Sequence, residues 1–180
     1  MNHEQKRSNA AGASPEIGAT PLGFHASTIS TRLVVGFFAG FFSHLLFQGA
    51  FGATLYAADL IPALPWSLLP VPPFGVPRSL NLALWAGLWG LGYALLEPRL
   101  TAFFGRWLGG LAYGLAPLAG YWFVVLPLKG LGIGGGFHAA KVPIEIGFHL
   151  IFGIGVAILF HGGLVLVRRR GRASPQLRRG

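Results

Sequence analysis

Between Leu33 and Ala57 the chain runs 25 residues without a charged side chain. A helix over that run is about 37 Å long at 1.5 Å per residue, enough to cross a hydrocarbon layer of about 30 Å. Three further apolar segments follow. Leu80 to Leu96 is the shortest, at 17 residues, and Glu97-Pro98 is read as its stop. A tight basic turn holding Arg99 and Arg106 leads to the third segment, Trp107 to Leu128. The fourth opens at Pro143, which a helix tolerates in its first turn, and continues to Val167. The expected fold is all-α: a four-transmembrane-helix bundle with spans at about 33–57, 80–96, 107–128 and 143–167.

Composition agrees with lipid as the solvent. Only 11% of residues are charged, against about a quarter in an ordinary soluble domain, and 53% are hydrophobic. Residues 1–31 are rich in Ser, Ala, Gly, Thr and Pro without a helical period, and read as a mobile cytoplasmic tail. Residues 32–167 form the membrane domain, and 168–180 a basic cytoplasmic tail. A signal peptide cleaved near Ala58 is the other reading of the first span, but the apolar run is too long and its leader too extended for that pattern.

The formal net charge of +9 fits either nucleic acid or an anionic membrane surface. Position decides for the membrane. Arg168, Arg169, Arg170, Arg172, Arg178 and Arg179 follow directly on an apolar run, as a cytoplasmic anchor does. With the N-terminus inside, the cytoplasmic segments hold these six arginines with Lys6, Arg7, Arg32, Arg99 and Arg106, or 11 basic residues. The outer loops hold 3: Arg78, Lys129 and Lys141. The asymmetry predicts a multi-pass protein of a bacterial inner membrane with both termini in the cytoplasm.

Between the first two spans, residues 59–79 contain six prolines, which remove backbone donors and break helices. Trp66, Leu68, Leu69 and Phe74 place this loop on the membrane interface rather than free in water. Small residues four apart (Gly36 and Gly40, Gly105 and Gly109, Gly110 and Gly114, Gly153 and Ala157) permit close helix approach, within one chain or between copies. A bundle this small encloses no wide aqueous pore, so transport would need an oligomer or a narrow proton path.

Ionisable groups at membrane depth are costly and stand out as functional candidates. His44 and Gln48 lie one turn apart on the first span; Glu145 and His149 share a face of the fourth at the same spacing. His161, twelve residues beyond His149, is rotated by about 120° and displaced by roughly 18 Å, so the two histidines cannot serve one site. Counting residues from the span ends puts His44, Gln48, Tyr121, Glu145 and His149 at similar depth in the outer leaflet. Several readings fit: a hydrogen-bonded cluster fixing helix register, a proton-responsive Glu145–His149 pair, a metal site that adds His138 or His44, and a bis-histidine haem b.

The sequence has no cysteine, and so no disulfide, thiolate catalysis or iron–sulfur cluster. Nucleophile elbow, phosphate loop and paired catalytic carboxylates are also missing; Gly134-Gly135-Gly136 has no preceding strand. The expectation is a non-enzyme without a cofactor.

Leu126-Pro127-Leu128-Lys129-Gly130-Leu131, followed by Glu145-Ile146-Gly147-Phe148-His149-Leu150, resembles the YagU-like family of small bacterial inner-membrane proteins. In that family a Pro-Leu-x-Gly-Leu stretch ends one span and a Glu-Ile-x-x-His-Leu motif opens the last. The basic run Arg168–Arg170 also fits, and the resemblance covers about residues 107–170. It implies that Glu145 and His149 belong together; it implies no activity, since the family has none well established. The chain departs from the family in lacking its longer polar loop between the first two spans. The expected role is an accessory or stress-related membrane component, whose partners are the lipid bilayer and other membrane subunits or a second copy, not nucleic acid. The alternative is a small transporter, or a proton-responsive, haem- or metal-carrying protein using the outer His/Glu cluster.

Overall fold

The structure, a computed structural model, describes the backbone of residues 22–173 and the side chains of residues 29–170. Lys6, Arg7, Arg178 and Arg179, and most of the expected N-terminal tail, lie outside the described residues. The architecture is all-α apart from a small hairpin pairing Pro70–Val71 with Val76–Pro77.

Among the described residues, three helical runs are long and apolar enough to cross a membrane: Ile29–Ala57, Arg78–Leu128 and Val142–Arg170. The first run begins at Leu22, earlier than the sequence indicated, because extending an existing helix over a Ser/Thr-containing flank costs far less than nucleating one. It passes without interruption through a π-helical segment, Ser43–Gln48, into Gly49–Ala57. The second run, Arg78–Gly120, continues through a π-helical segment, Tyr121–Val125, to Leu126–Leu128. The third is Val142–Ala173.

The second run is broken at Gly105, whose φ of 73° and ψ of 172° belong to no helix. Tyr113 donates its hydroxyl to the Trp89 carbonyl, and its ring centroid lies 5.1 Å from that of Tyr93. Along an unbroken helix, Trp89 and Tyr113 would stand about 36 Å apart. The run therefore doubles back into an outgoing limb, 78–104, and a returning limb, 106–128.

Glu97-Pro98 does not stop the outgoing limb. Pro98 has no N–H, so the Ala94 carbonyl one turn back loses its helical donor. Arg32 of the first run replaces it, its Nη2 donating to the Ala94 oxygen at 2.9 Å. With that group satisfied, the limb continues to the turn at Gly105.

Every pair of adjacent limbs is antiparallel. Gly36 meets Gly90 and Gly40 meets Ala86; Gly110 meets Gly153 and Ala157 while Gly114 meets His149; Gly155 faces Ser43 and Phe47 while Gly163 faces Val35. A Cβ on Gly36 would stand 2.6 Å from the Gly90 carbonyl oxygen, and one on Gly110 would stand 2.9 Å from that of Gly153. These contacts are backbone against backbone, the approach that only glycine permits. Gly109 packs on Leu100 within the hairpin, whereas Gly105 meets nothing within 4 Å. Gly105 thus makes the turn and does not pack, a role that its spacing from Gly109 did not show. Inside, Tyr93, Val156 and Phe160 are fully buried. Outside, Phe38, Leu46, Trp85, Leu88, Leu95 and Leu108 are exposed along the runs, more apolar surface than water tolerates.

Gly90→Leu should drive a side chain into the Gly36 backbone and lower stability in detergent by at least about 2 kcal/mol, read as a fall in melting temperature. Gly162→Ala, with open space around it, should leave stability unchanged or raise it by up to about 1 kcal/mol. Equal effects from the two substitutions would contradict the glycine contact.

Candidate functional site

The most concentrated polar constellation lies toward the Gly105 end and joins three limbs. Glu97 is 9% exposed and accepts from Arg32 Nη2 at 2.8 Å on Oε2 and from Thr101 Oγ1 at 3.0 Å on Oε1, and His161 Nε2 lies 3.1 Å from Oε1. His161 Nδ1–H donates to the Ala157 carbonyl at 2.8 Å, which orients the ring. Arg32 also lies over the Phe160 ring at 5.1 Å, and the His161 ring is 6.4 Å from Trp107 of the returning limb. All four limbs meet here.

Local sequence supplies part of the arrangement. Glu97 and Thr101 sit one helical turn apart and share a face. Arg32 is the last basic residue before the charge-free stretch, and its long side chain covers apolar surface while its head reaches two acceptors at once. Sequence reasoning missed this site: Arg32 was counted only for orientation, Glu97 was read as a helix stop, and His161 was set apart from His149. One available signal was that, of the three acidic residues among those described, Glu97 and Glu145 fall inside the helical runs and Asp59 does not.

The residues expected in the outer leaflet are distributed over two interfaces. His44 Nδ1–H donates to Gln48 Oε1 at 2.7 Å, and Gln48 Nε2 donates to the Phe148 carbonyl at 2.9 Å, joining the first run to the third. Ser43 adds a bond to the Phe152 carbonyl at 2.8 Å. On the other side of the third run, the His149 ring lies 5.9 Å from Tyr121 of the returning limb. Its Nδ1–H donates to the Glu145 backbone carbonyl at 2.7 Å, not to the carboxylate. The Glu145 carboxylate instead accepts from Trp122 Nε1 at 2.6 Å. Both π-helical segments, which carry His44 and Gln48 in one case and Tyr121 and Trp122 in the other, thus face the same turn of the third run, 145–149. His138 is exposed in the loop before that run. Among the described residues, no three His, Asp or Glu side chains gather closely enough to hold a metal ion.

No protein-family model, no curated protein and no solved structure matches this chain.

Arg32→Met should leave the Glu97 carboxylate short of its main counter-charge and the Ala94 carbonyl without a donor, a loss of about 3–5 kcal/mol in detergent. In a Pro98→Ala background, where residue 98 regains its N–H, the same substitution should cost measurably less. Additivity in that cycle would show that Arg32 does not serve the Ala94 carbonyl.

For the outer residues, a cycle on Trp122→Phe and Glu145→Gln should give a coupling of about 1 kcal/mol, whereas Glu145→Gln and His149→Ala should add within about 0.5 kcal/mol. A large Glu145–His149 coupling would contradict the observed partners.

Proposed function

We propose that the protein is an integral component of a bacterial inner membrane that crosses the bilayer four times, with both termini in the cytoplasm, and that it acts without catalysis as an accessory or stress-related membrane subunit. The observation that carries this reading is the antiparallel alternation of limbs, with Arg32, Arg99, Arg106 and Arg168–Arg170 all toward the Gly105 end. A 51-residue second run crossing once would span about 76 Å, far more than any bilayer; folded at Gly105 it gives two crossings of ordinary length. The excess of basic residues at one end then sets that end in the cytoplasm.

The likeness of residues 126–131 and 145–150 to the YagU-like pattern supports placing the chain among small bacterial inner-membrane proteins, and attaches no activity to them. The non-carrier role is favoured by how the outer polar groups are used. His44 is bonded to Gln48, the Glu145 carboxylate to Trp122, and His149 to a carbonyl of its own helix, so each already has a protein partner. Its partners in this reading are lipid and other membrane subunits or a second copy, and it carries no cofactor.

Reporter fusions after Gly180 and within 100–104 should read as cytoplasmic, and fusions within 134–136 as periplasmic. A periplasmic C-terminus would overturn the four-crossing arrangement.

A further inference from the structure

The outgoing limb is too short to fill its corner of the bundle. Gly36 pairs with Gly90 and Gly40 with Ala86, so one helix counts down as the other counts up, and Gln48 stands across from Arg78, where the limb begins. The first run continues nine residues further, to Ala57, about 14 Å with no helix beside it on that side.

Residues 58–77 occupy that space. Leu60 N–H bonds to the Leu55 carbonyl, Pro65 packs on Gly52, and Trp66 lies against Gly49. Ser67 then meets the start of the limb, accepting from Ser79 N–H at 3.1 Å and Ser79 Oγ at 2.9 Å. The chain thus descends alongside the first run instead of arching over its end. Taking Arg32 as the inner edge of the hydrocarbon, Gln48 stands about 24 Å up and Ala57 about 37 Å, so this segment straddles the far boundary of a layer about 30 Å thick.

Its chemistry suits that position. From Leu60 to Pro77 there are 18 residues and no charge. Leu68, Leu69 and Phe74 are 76%, 71% and 87% exposed, among the least covered apolar side chains of the molecule. Unpaired N–H groups are what lipid penalises most, and six of these residues are prolines, which have none. Gly75 N–H bonds to the Val71 carbonyl, and Leu69 N–H reaches Ser67 Oγ. An interfacial tryptophan in a water-facing loop would turn its indole N–H toward water; Trp66 donates it inward to the Leu45 carbonyl at 2.9 Å.

Resting on the membrane reading above, we propose that residues 60–77 form a strap embedded in the leaflet remote from the arginine-rich end, with Leu68, Leu69 and Phe74 in contact with lipid acyl chains. It completes the bundle wall where the outgoing limb stops short, and its occupant is the bilayer itself rather than another protein chain.

The chain has no cysteine, so single labels can be placed at will. Leu68→Cys, Leu69→Cys and Phe74→Cys, each carrying an environment-sensitive fluorophore, would be compared in phosphatidylcholine nanodiscs with Trp85→Cys, an exposed site of the outgoing limb about 14 Å above the level of Arg32, and Lys129→Cys in a loop. The probes are doxyl-labelled phosphatidylcholine from the lipid side and iodide from water. The strap positions should show blue-shifted emission and severalfold stronger quenching by the doxyl lipid than by iodide, as Trp85→Cys does, with Lys129→Cys the reverse. Iodide-quenched strap positions beside a lipid-quenched Trp85→Cys would overturn the strap while leaving the membrane reading intact. An iodide-quenched Trp85→Cys would overturn both.

Discussion

In lipid, an apolar helix gains little by turning an apolar face to its neighbour, because the tails are equally apolar; association then depends on how closely backbones approach and on the few polar groups they bury. The Gly36–Gly90 and Gly110–Gly153 contacts supply that approach, one joining the first run to the outgoing limb and the other joining the returning limb to the third run. Their registers fix how far each limb rises, and so where every polar side chain falls. The level of Arg32 against Ala94 and Glu97 follows from Gly36 lying on Gly90, four residues along each chain. Without these glycines neither polar group would arrive opposite its partner.

Arg32 resolves two problems at once. A proline inside a membrane helix frees a carbonyl, and a glutamate beside it must either be neutralised or paired. Arg32 offers donors to both, and Thr101 and His161 take up the remaining carboxylate positions. Together they turn a sequence that reads as a helix stop into seven further helical residues, 98–104. Those residues carry the turn at Gly105 beyond the cluster, so the ion pair sits within the bundle rather than at its rim.

Much of the fold was legible in the sequence because the dominant signal, long charge-free runs punctuated by prolines and arginines, is a one-dimensional one. The boundaries that were misread depend on partners distant in sequence. Nothing local to Glu97-Pro98 announces that Arg32, 65 residues earlier, will supply the missing donor. Gly105 looked like a packing residue by its spacing from Gly109, yet its φ of 73° makes it the turn; a four-residue interval cannot distinguish the two roles. The Glu97 cluster escaped notice for the same reason: its members come from three limbs, and only their register brings them together.

The outer residues show the converse limit. The i, i+4 spacing of Glu145 and His149 does place them one turn apart, but spacing fixes only which face a side chain leaves from, not which atom it meets. His149 has a nearer acceptor in the Glu145 carbonyl, one turn back along its own helix, and the Glu145 carboxylate is drawn away by the Trp122 indole. Trp122 reaches it from the start of the π-helical Tyr121–Val125 segment. The Ser43–Gln48 segment has the same character opposite the other face of the same turn, delivering Gln48 to the Phe148 carbonyl. Two π-helical segments thus carry the side chains that bond to Phe148 and Glu145, and a reading based on 3.6 residues per turn did not include them.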